Sequence, residues 1–221
     1  AYDIKLNPEK CIFGVPAGKL LGFVVSGRGI EANPAKIRAL SQLDTPKDLK
    51  QIQKLTGCVA ALSRFISHMG EKALPLYRLL RRTEHFEWTD AATAGLEEIK
   101  AILATNPVLA APNLGKPMLL YIAATHQVVS AVLIVERETE GHRFPLQKPV
   151  YYVSTVLTPC KSRYPHYQKI AYAVFMASRK LRHYFQECSI TVASEVPLND
   201  IINNRDATGM IEKWAIELLH L

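Results

Sequence analysis

Three short runs rich in β-branched and aromatic residues, 118–125 (MLLYIAAT), 128–135 (VVSAVLIV) and 150–156 (VYYVSTV), are each bounded by polar or turn-forming residues. That is the pattern of strands. Between residues 164 and 185 the period changes. Ile170, Val174, Ala177, Leu181 and Phe185 recur every three to four positions and make one apolar stripe, which predicts a long amphipathic helix. Residues 189–194 are extended again, so the order is strand, strand, strand, long helix, strand. Upstream, apolar runs at 11–15 and 20–26 flank Pro16, Ala17 and Gly18, which predicts two strands around a tight turn, with Gly27 and Gly29 ending the second. Asn33 and Pro34 open a helix with Ile37, Leu40 and Leu43 inward. Thr45 and Pro46 open a second, with Leu49, Ile52, Leu55, Cys58, Val59 and Leu62 inward and Phe65 and Ile66 closing it. Thr89 or Asp90 caps a helix reaching Leu103. Residues 136–148 read as a polar loop, Pro197 opens a short helix, 205–209 is a turn, and 210–220 is an amphipathic helix carrying Trp214.

The 221 residues are 48% hydrophobic and 21% charged, ordinary globular material for one large or two small cores. The net charge of +7 changes the picture because it is uneven. Residues 1–85 hold 14 Lys or Arg against 7 Asp or Glu, whereas residues 86–221 hold 13 of each. The first part is therefore suited to a polyanion, or else carries a solvated lysine-rich surface. Lys47, Lys50 and Lys54 lie on the outward side of the second helix. The apolar stretch 117–135 is interrupted by Thr125, His126, Gln127 and Ser130, so it reads as a pair of strands and not as a membrane span. The first residues carry charges and no apolar core, unlike a signal peptide, and an intracellular protein is expected. Cys11, Cys58, Cys160 and Cys188 form no Cys-x-x-Cys pair, which favours reduced structural thiols over a zinc site. Ser130, Ser154 and Ser194 lack the setting of a nucleophilic triad, and there is no P-loop.

The wording KPVYYVSTVLT, SRYPHYQKIAYAVFMASRKLRHYF and ITVASEVPL resembles the ribonuclease H region of gypsy-class LTR retrotransposon polyproteins of plant type. LNPEKCIF and LLGF are similar to the end of the palm in the same reverse transcriptases. PAKIRAL and TPKDLKQIQKLTGCVAALSRF resemble their thumb, and Phe86 and Trp88 resemble an aromatic connector that anchors the next domain. The resemblance implies an α+β fold: a small palm-end β-hairpin at 1–31, thumb-like helices at 32–85, and a truncated, connection-like ribonuclease H-like α/β domain with a mixed sheet and helices at 86–221. It places Leu21, Gly22 and Phe23 at the primer grip, although without it they read as a buried strand. It also implies that Lys47, Lys50, Lys54 and Arg64 contact backbone phosphates.

Members of that family hydrolyse RNA in an RNA/DNA hybrid with carboxylates that hold two divalent metals. The motifs place these carboxylates in the first strand, in the first turns of the long helix and at the end of the fourth strand. Here the positions are Ala123, Ile170 and Glu195. Two are apolar, and hard dications need oxygen ligands. Glu195 alone reads as a solvated carboxylate, Gln168 points to the other side of the helix, and His126, His166 and His183 have no partner at metal spacing. The family's polymerase aspartates lie upstream of LNPEKC. The expectation is a catalytically inactive segment without a cofactor, from a parent that uses Mg or Mn. It would grip an RNA/DNA template-primer and join the remainder of a reverse transcriptase polyprotein, with no membrane partner. Asp, Glu and Asp installed at 123, 170 and 195 are expected to converge on one point. Two alternatives stand beside it: an active ribonuclease H completed by a partner or by missing sequence, and a decayed transposon fragment.

Overall fold

In the computed structural model, which describes residues 5, 7–80, 86–112, 115–141, 143–203 and 209–220, the chain begins with a meander. Strands β1 (Ala17–Leu20), β2 (Phe23–Ser26) and β3 (Gly29–Ala32) pair antiparallel. Leu20 pairs with Phe23, so the loop is Leu21 and Gly22, with φ of 48° and 83°. Two left-handed residues between paired strands make the tight hairpin whose twist matches the strands. The turn expected at residues 16–18 is therefore four residues further on, and no strand forms at 11–15.

Asn33 caps α1 (Pro34–Ser41), its side chain accepting from the Ala35 amide at 3.0 Å. The next helix starts later than Pro46: Asp48 accepts from the Gln51 amide at 2.8 Å and opens α2 (Leu49–Ala61), leaving Lys47 just outside it. Then follow α3 (Met69–Lys72), α4 (Leu74–Leu79) and α5 (Asp90–Ala104), the last capped by Thr89. Two residues form β4 (Val108–Leu109), which adds to β3 and completes a sheet in the order β1-β2-β3-β4. Leu40, Ile52, Leu55, Val59, Phe65, Leu76, Ile99, Leu103 and Leu109 fill the first core, with Phe86 and Trp88 packed on it. This core joins residues from both sides of position 86.

The second sheet contains β5 (Met118–Ala124), β6 (Val128–Arg137), β7 (Leu146–Val156) and β8 (Ile190–Ala193) in the order β7-β6-β5-β8, with β8 parallel to β5. The β6–β7 hairpin extends well into the stretch expected as loop, across a bulge at Leu133/Ile134. A short α6 (Pro159–Ser162) precedes α7 (His166–Lys180), whose stripe of Ile170, Ala173, Val174 and Ala177 is buried. Ala173, Ala177 and Leu181 share the second core with Leu120, Val129, Leu133 and Val150. The long helix breaks at Leu181 and resumes as α8 (Arg182–Glu187). After α9 (Leu198–Ile202), α10 (Met210–Leu219) docks on α7 through Trp214, 2% exposed, whose ring lies 5.4 Å from Tyr172 and 5.8 Å from Phe175. Such aromatic contacts add to the area that a buried Trp already removes from water. The fold is thus α+β, with helices on a mixed sheet. Among the described residues no helix is long and apolar enough to cross a membrane. The expected turn at 205–209 lies outside the described residues except for Gly209, as do residues 83–85 of the connector.

Alternation along β6 and β7 decides what each face of the second sheet meets. Val129, Ala131 and Leu133 face α7, while Ser130 and Ser154 face α3. The Gly70 amide of α3 donates to Ser154 Oγ at 2.9 Å, and the two serine hydroxyls lie 2.9 Å apart. A β-carbon at Gly70 would stand 2.6 Å from Ser154 Oγ and 2.7 Å from Val128, so the contact exists only with glycine. On the other side of α3, a β-carbon at Gly95 would stand 2.3 Å from the Lys72 carbonyl oxygen.

Candidate functional site

The inward side of α2 is Ile52, Leu55, Thr56 and Val59, which turns Lys50 and Lys54 directly outward. Lys47 is exposed one position before the cap. Among the described residues none of the three has a carboxylate partner. Lys50 and Lys54 thus share the outward side of α2, and Lys47 is exposed just before its cap.

Arg64, expected with these lysines as a phosphate contact, is instead packed between two aromatic rings. Its guanidinium carbon lies 4.9 Å from the ring centre of Phe23 and 4.4 Å from that of Tyr151, and its Nε is buried without a hydrogen-bond partner. A planar, weakly hydrated guanidinium stacks on aromatic faces where an ammonium would stay in water. Arg64 thus pins the first hairpin to the second sheet. The same charge acts on Tyr184, whose phenol burial pushes up and the Arg64 cation draws back down. Burial also raises Tyr77 and Tyr152 and lowers Lys180. These last three line a cleft of about 310 Å³ between the helices and the edge of β7.

Leu21 and Gly22 form the hairpin tip, and Phe23 opens β2 without being fully buried. Leu21 is 88% exposed, and Phe23 is half-buried against Phe65, ring centres 5.8 Å apart.

The three carboxylate positions sit in three environments. Ala123 pairs with Ser130, so its side chain is on the α3 side of the sheet, whereas Ile122 and Ala124 join the core under α7. Ile170 is 1% exposed on the stripe that faces that core, and so lies on the opposite side of the sheet from Ala123. Glu195 follows β8, its side chain 68% exposed, with Oε1 2.5 Å from His166 Nε2. Ala123 and Ile170 therefore lie on opposite sides of the sheet, an arrangement that does not favour the expected convergence. Methyl groups give a dication nothing to bind, and the described residues contain no group of three or more His, Cys, Asp or Glu arranged to hold an ion. The donor set does not fit a metal pair. Two partnerships escaped sequence reasoning: His166 with Glu195, and the buried Lys169, whose Nζ donates to the His126 carbonyl at 3.1 Å. Neither has a signal in spacing, since each joins a helix to a distant loop.

Residues 88–192 match the model of the RNase H-like domain found in reverse transcriptase. Nearly the whole chain, 98%, is 26% identical to the retrovirus-related Pol polyprotein from transposon 297 of Drosophila melanogaster. Likewise, 95% of it is 28% identical to the transposon Tf2-3 polyprotein of Schizosaccharomyces pombe. The chain spans only 20% and 15% of the length of these two relatives. In fold, 93% of it superposes on 27% of the foamy viral protease-reverse transcriptase solved with an RNA/DNA hybrid, with a TM-score of 0.73 and 21% identity. A second structure of the viral enzyme, with double-stranded DNA, gives 0.72 over 93% of this chain and 36% of that one, again at 21% identity. Residues 88–192 are thus similar to the RNase H-like domain found in reverse transcriptase, within a chain that is similar along nearly all its length to retrotransposon Pol polyproteins.

Proposed function

We propose that this segment grips the backbone of an RNA/DNA template-primer through its first part and serves the rest of a gypsy-class polyprotein as a structural connection, without ribonuclease activity of its own. Residues 1–31 act as the end of the palm, 32–85 as a thumb, and 86–221 as a connection-like scaffold. The observation that carries this reading is the contrast in charge pairing. Lys47, Lys50 and Lys54 stand exposed with no carboxylate partner among the described residues, while Glu195, the one carboxylate at the family's metal positions, is paired with His166. Unpaired cations on one side of a helix are the means of holding phosphates in register, and they carry no sequence preference.

The test is a titration of the full chain with a labelled RNA/DNA hybrid at several salt concentrations. If about five phosphates are neutralised, log K falls against log salt with a slope of about −4 to −5. The hybrid stays intact with magnesium or manganese. A salt-independent affinity overturns the grip; metal-dependent cleavage above that of a Glu195→Gln control overturns the inactive site and favours the nuclease alternative.

A further inference from the structure

We propose that the cleft between the first helices and the edge of β7 binds a small organic anion, a carboxylate or phosphate monoester carried on a flat apolar body, with Lys180, Tyr77 and Tyr152 holding its charged end. The site is independent of the gripping role above, since none of its residues is among the lysines at α2.

The cleft has a volume of about 310 Å³. That is more room than a bare ion needs and lies at the lower end of the range for small-molecule sites. It exists because β7 is the outer strand of its sheet, so its flank from Tyr151 to Val156 has helices for neighbours and not another strand. Ser63 and Met69 line it from the helical side, and Lys180 lines it from the end of α7. Ala60 and Lys180 are both exposed, so the cleft opens to solvent.

Its charge is one-sided. Among the described residues no Asp or Glu lines the cleft, and Lys180 has no carboxylate partner. Tyr77 and Tyr152 make no hydrogen bond among the described residues, so both O–H groups are available as donors. Burial raises both phenols, which keeps them protonated, and lowers Lys180, which marks an ammonium stripped of part of its water. An anion gives that ammonium back the partner that water supplied, while two neutral O–H groups donate to its oxygens. Ser154 adds little to this set, because its Oγ is already engaged by the Gly70 amide and Ser130. The rest of the wall is apolar. Met69, Val153 and Val156 join the tyrosine rings, so a bare ion leaves much of the cleft unfilled, whereas a flat hydrocarbon body covers it.

The experiment titrates the full chain with phenyl phosphate and, separately, with benzoate by isothermal calorimetry. Inorganic phosphate and benzyl alcohol serve as the head and the body alone. At least one of the two probes binds at one site per chain, more tightly than either half, and raises the melting temperature. Lys180→Gln weakens it by about tenfold or more, as for a hydrogen bond between charged groups, and Tyr77→Phe by about threefold, as for a neutral one. Ala60→Phe sets a ring in the cleft from an exposed position of α2, so it abolishes probe binding while the melting curve without probe stays that of the wild type. If Lys180→Gln fails to fold, Ala60→Phe decides alone. Binding that survives Ala60→Phe overturns the site, as does failure of both probes to bind at millimolar concentration. Equal affinity for inorganic phosphate overturns the organic body, and equal affinity for benzyl alcohol overturns the anionic end. Displacement of the probe by an RNA/DNA hybrid makes the cleft part of a nucleic-acid surface and overturns the assignment to a small anion.

Discussion

The outward side of α2 and the first turn of α7 are both the polar margins of helices that cover filled cores, yet they treat charge in opposite ways. On α2 the cations stand in solvent with no partner, above Ile52, Leu55 and Val59. At α7 the position for which the resemblance implies an acid is Ile170, which is buried, and Glu195 is paired with His166. A charge left unpaired is available to a ligand. A charge already paired, or replaced by a methyl group, belongs to the architecture. Under the proposed function, that difference separates a surface offered to a ligand from one that holds shape.

The largest expected effect tests the first half of that contrast. Replacing Lys47, Lys50 and Lys54 with Gln removes about three phosphate contacts, so the salt slope becomes shallower by about 2.7 and hybrid affinity near 0.1 M salt falls by two to three orders of magnitude, at roughly −0.9 per phosphate. A loss below threefold, measured by fluorescence anisotropy, breaks the comparison. Next comes Ile170→Glu. A carboxylate forced into the site of a residue 1% exposed costs about 3 kcal/mol in denaturant unfolding. Because Ala123 faces the other side of the sheet, adding Ala123→Asp and Glu195→Asp leaves that cost in place with or without magnesium. Recovery on adding magnesium would show that the three positions do converge. Arg64→Ala comes third, at about 1 to 2 kcal/mol for the lost stacking, and Arg64→Lys restores less than half because an ammonium is not a flat plate. The smallest effect is that of Glu195→Gln. An exposed pair contributes at most about 0.5 kcal/mol, so its melting curve overlays that of the wild type.

What the sequence discloses follows the range of the interactions involved. Strands β5 and β6 are legible as apolar, β-branched runs bounded by polar residues, β6 being buried on both faces, and the stripe of α7 is legible because its period repeats over the length of the helix. The hairpin tip is not legible: Leu21 is a leucine in a left-handed conformation, where asparagine would announce the turn. Strand β4 is two residues long and shows no period at all. Among site residues, Lys50 and Lys54 follow directly from the helical repeat. Arg64 does not, because Phe23 and Tyr151 reach it from far along the chain in both directions.

The short helix α3 has clearance for a hydrogen atom at Gly70 on one side, and its Lys72 carbonyl lies hard against Gly95 on the other. A part fitted that closely behaves as a shim, transmitting displacement instead of absorbing it. A displacement of α3 is therefore passed to the sheet through Ser154, with little slack in between. The side chains at positions 123 and 170 take no part in that linkage, whereas a single methyl at position 70 would jam it. Substitutions along this chain should be tolerated according to mechanical fit, and the tightest tolerance falls on a residue with no side chain.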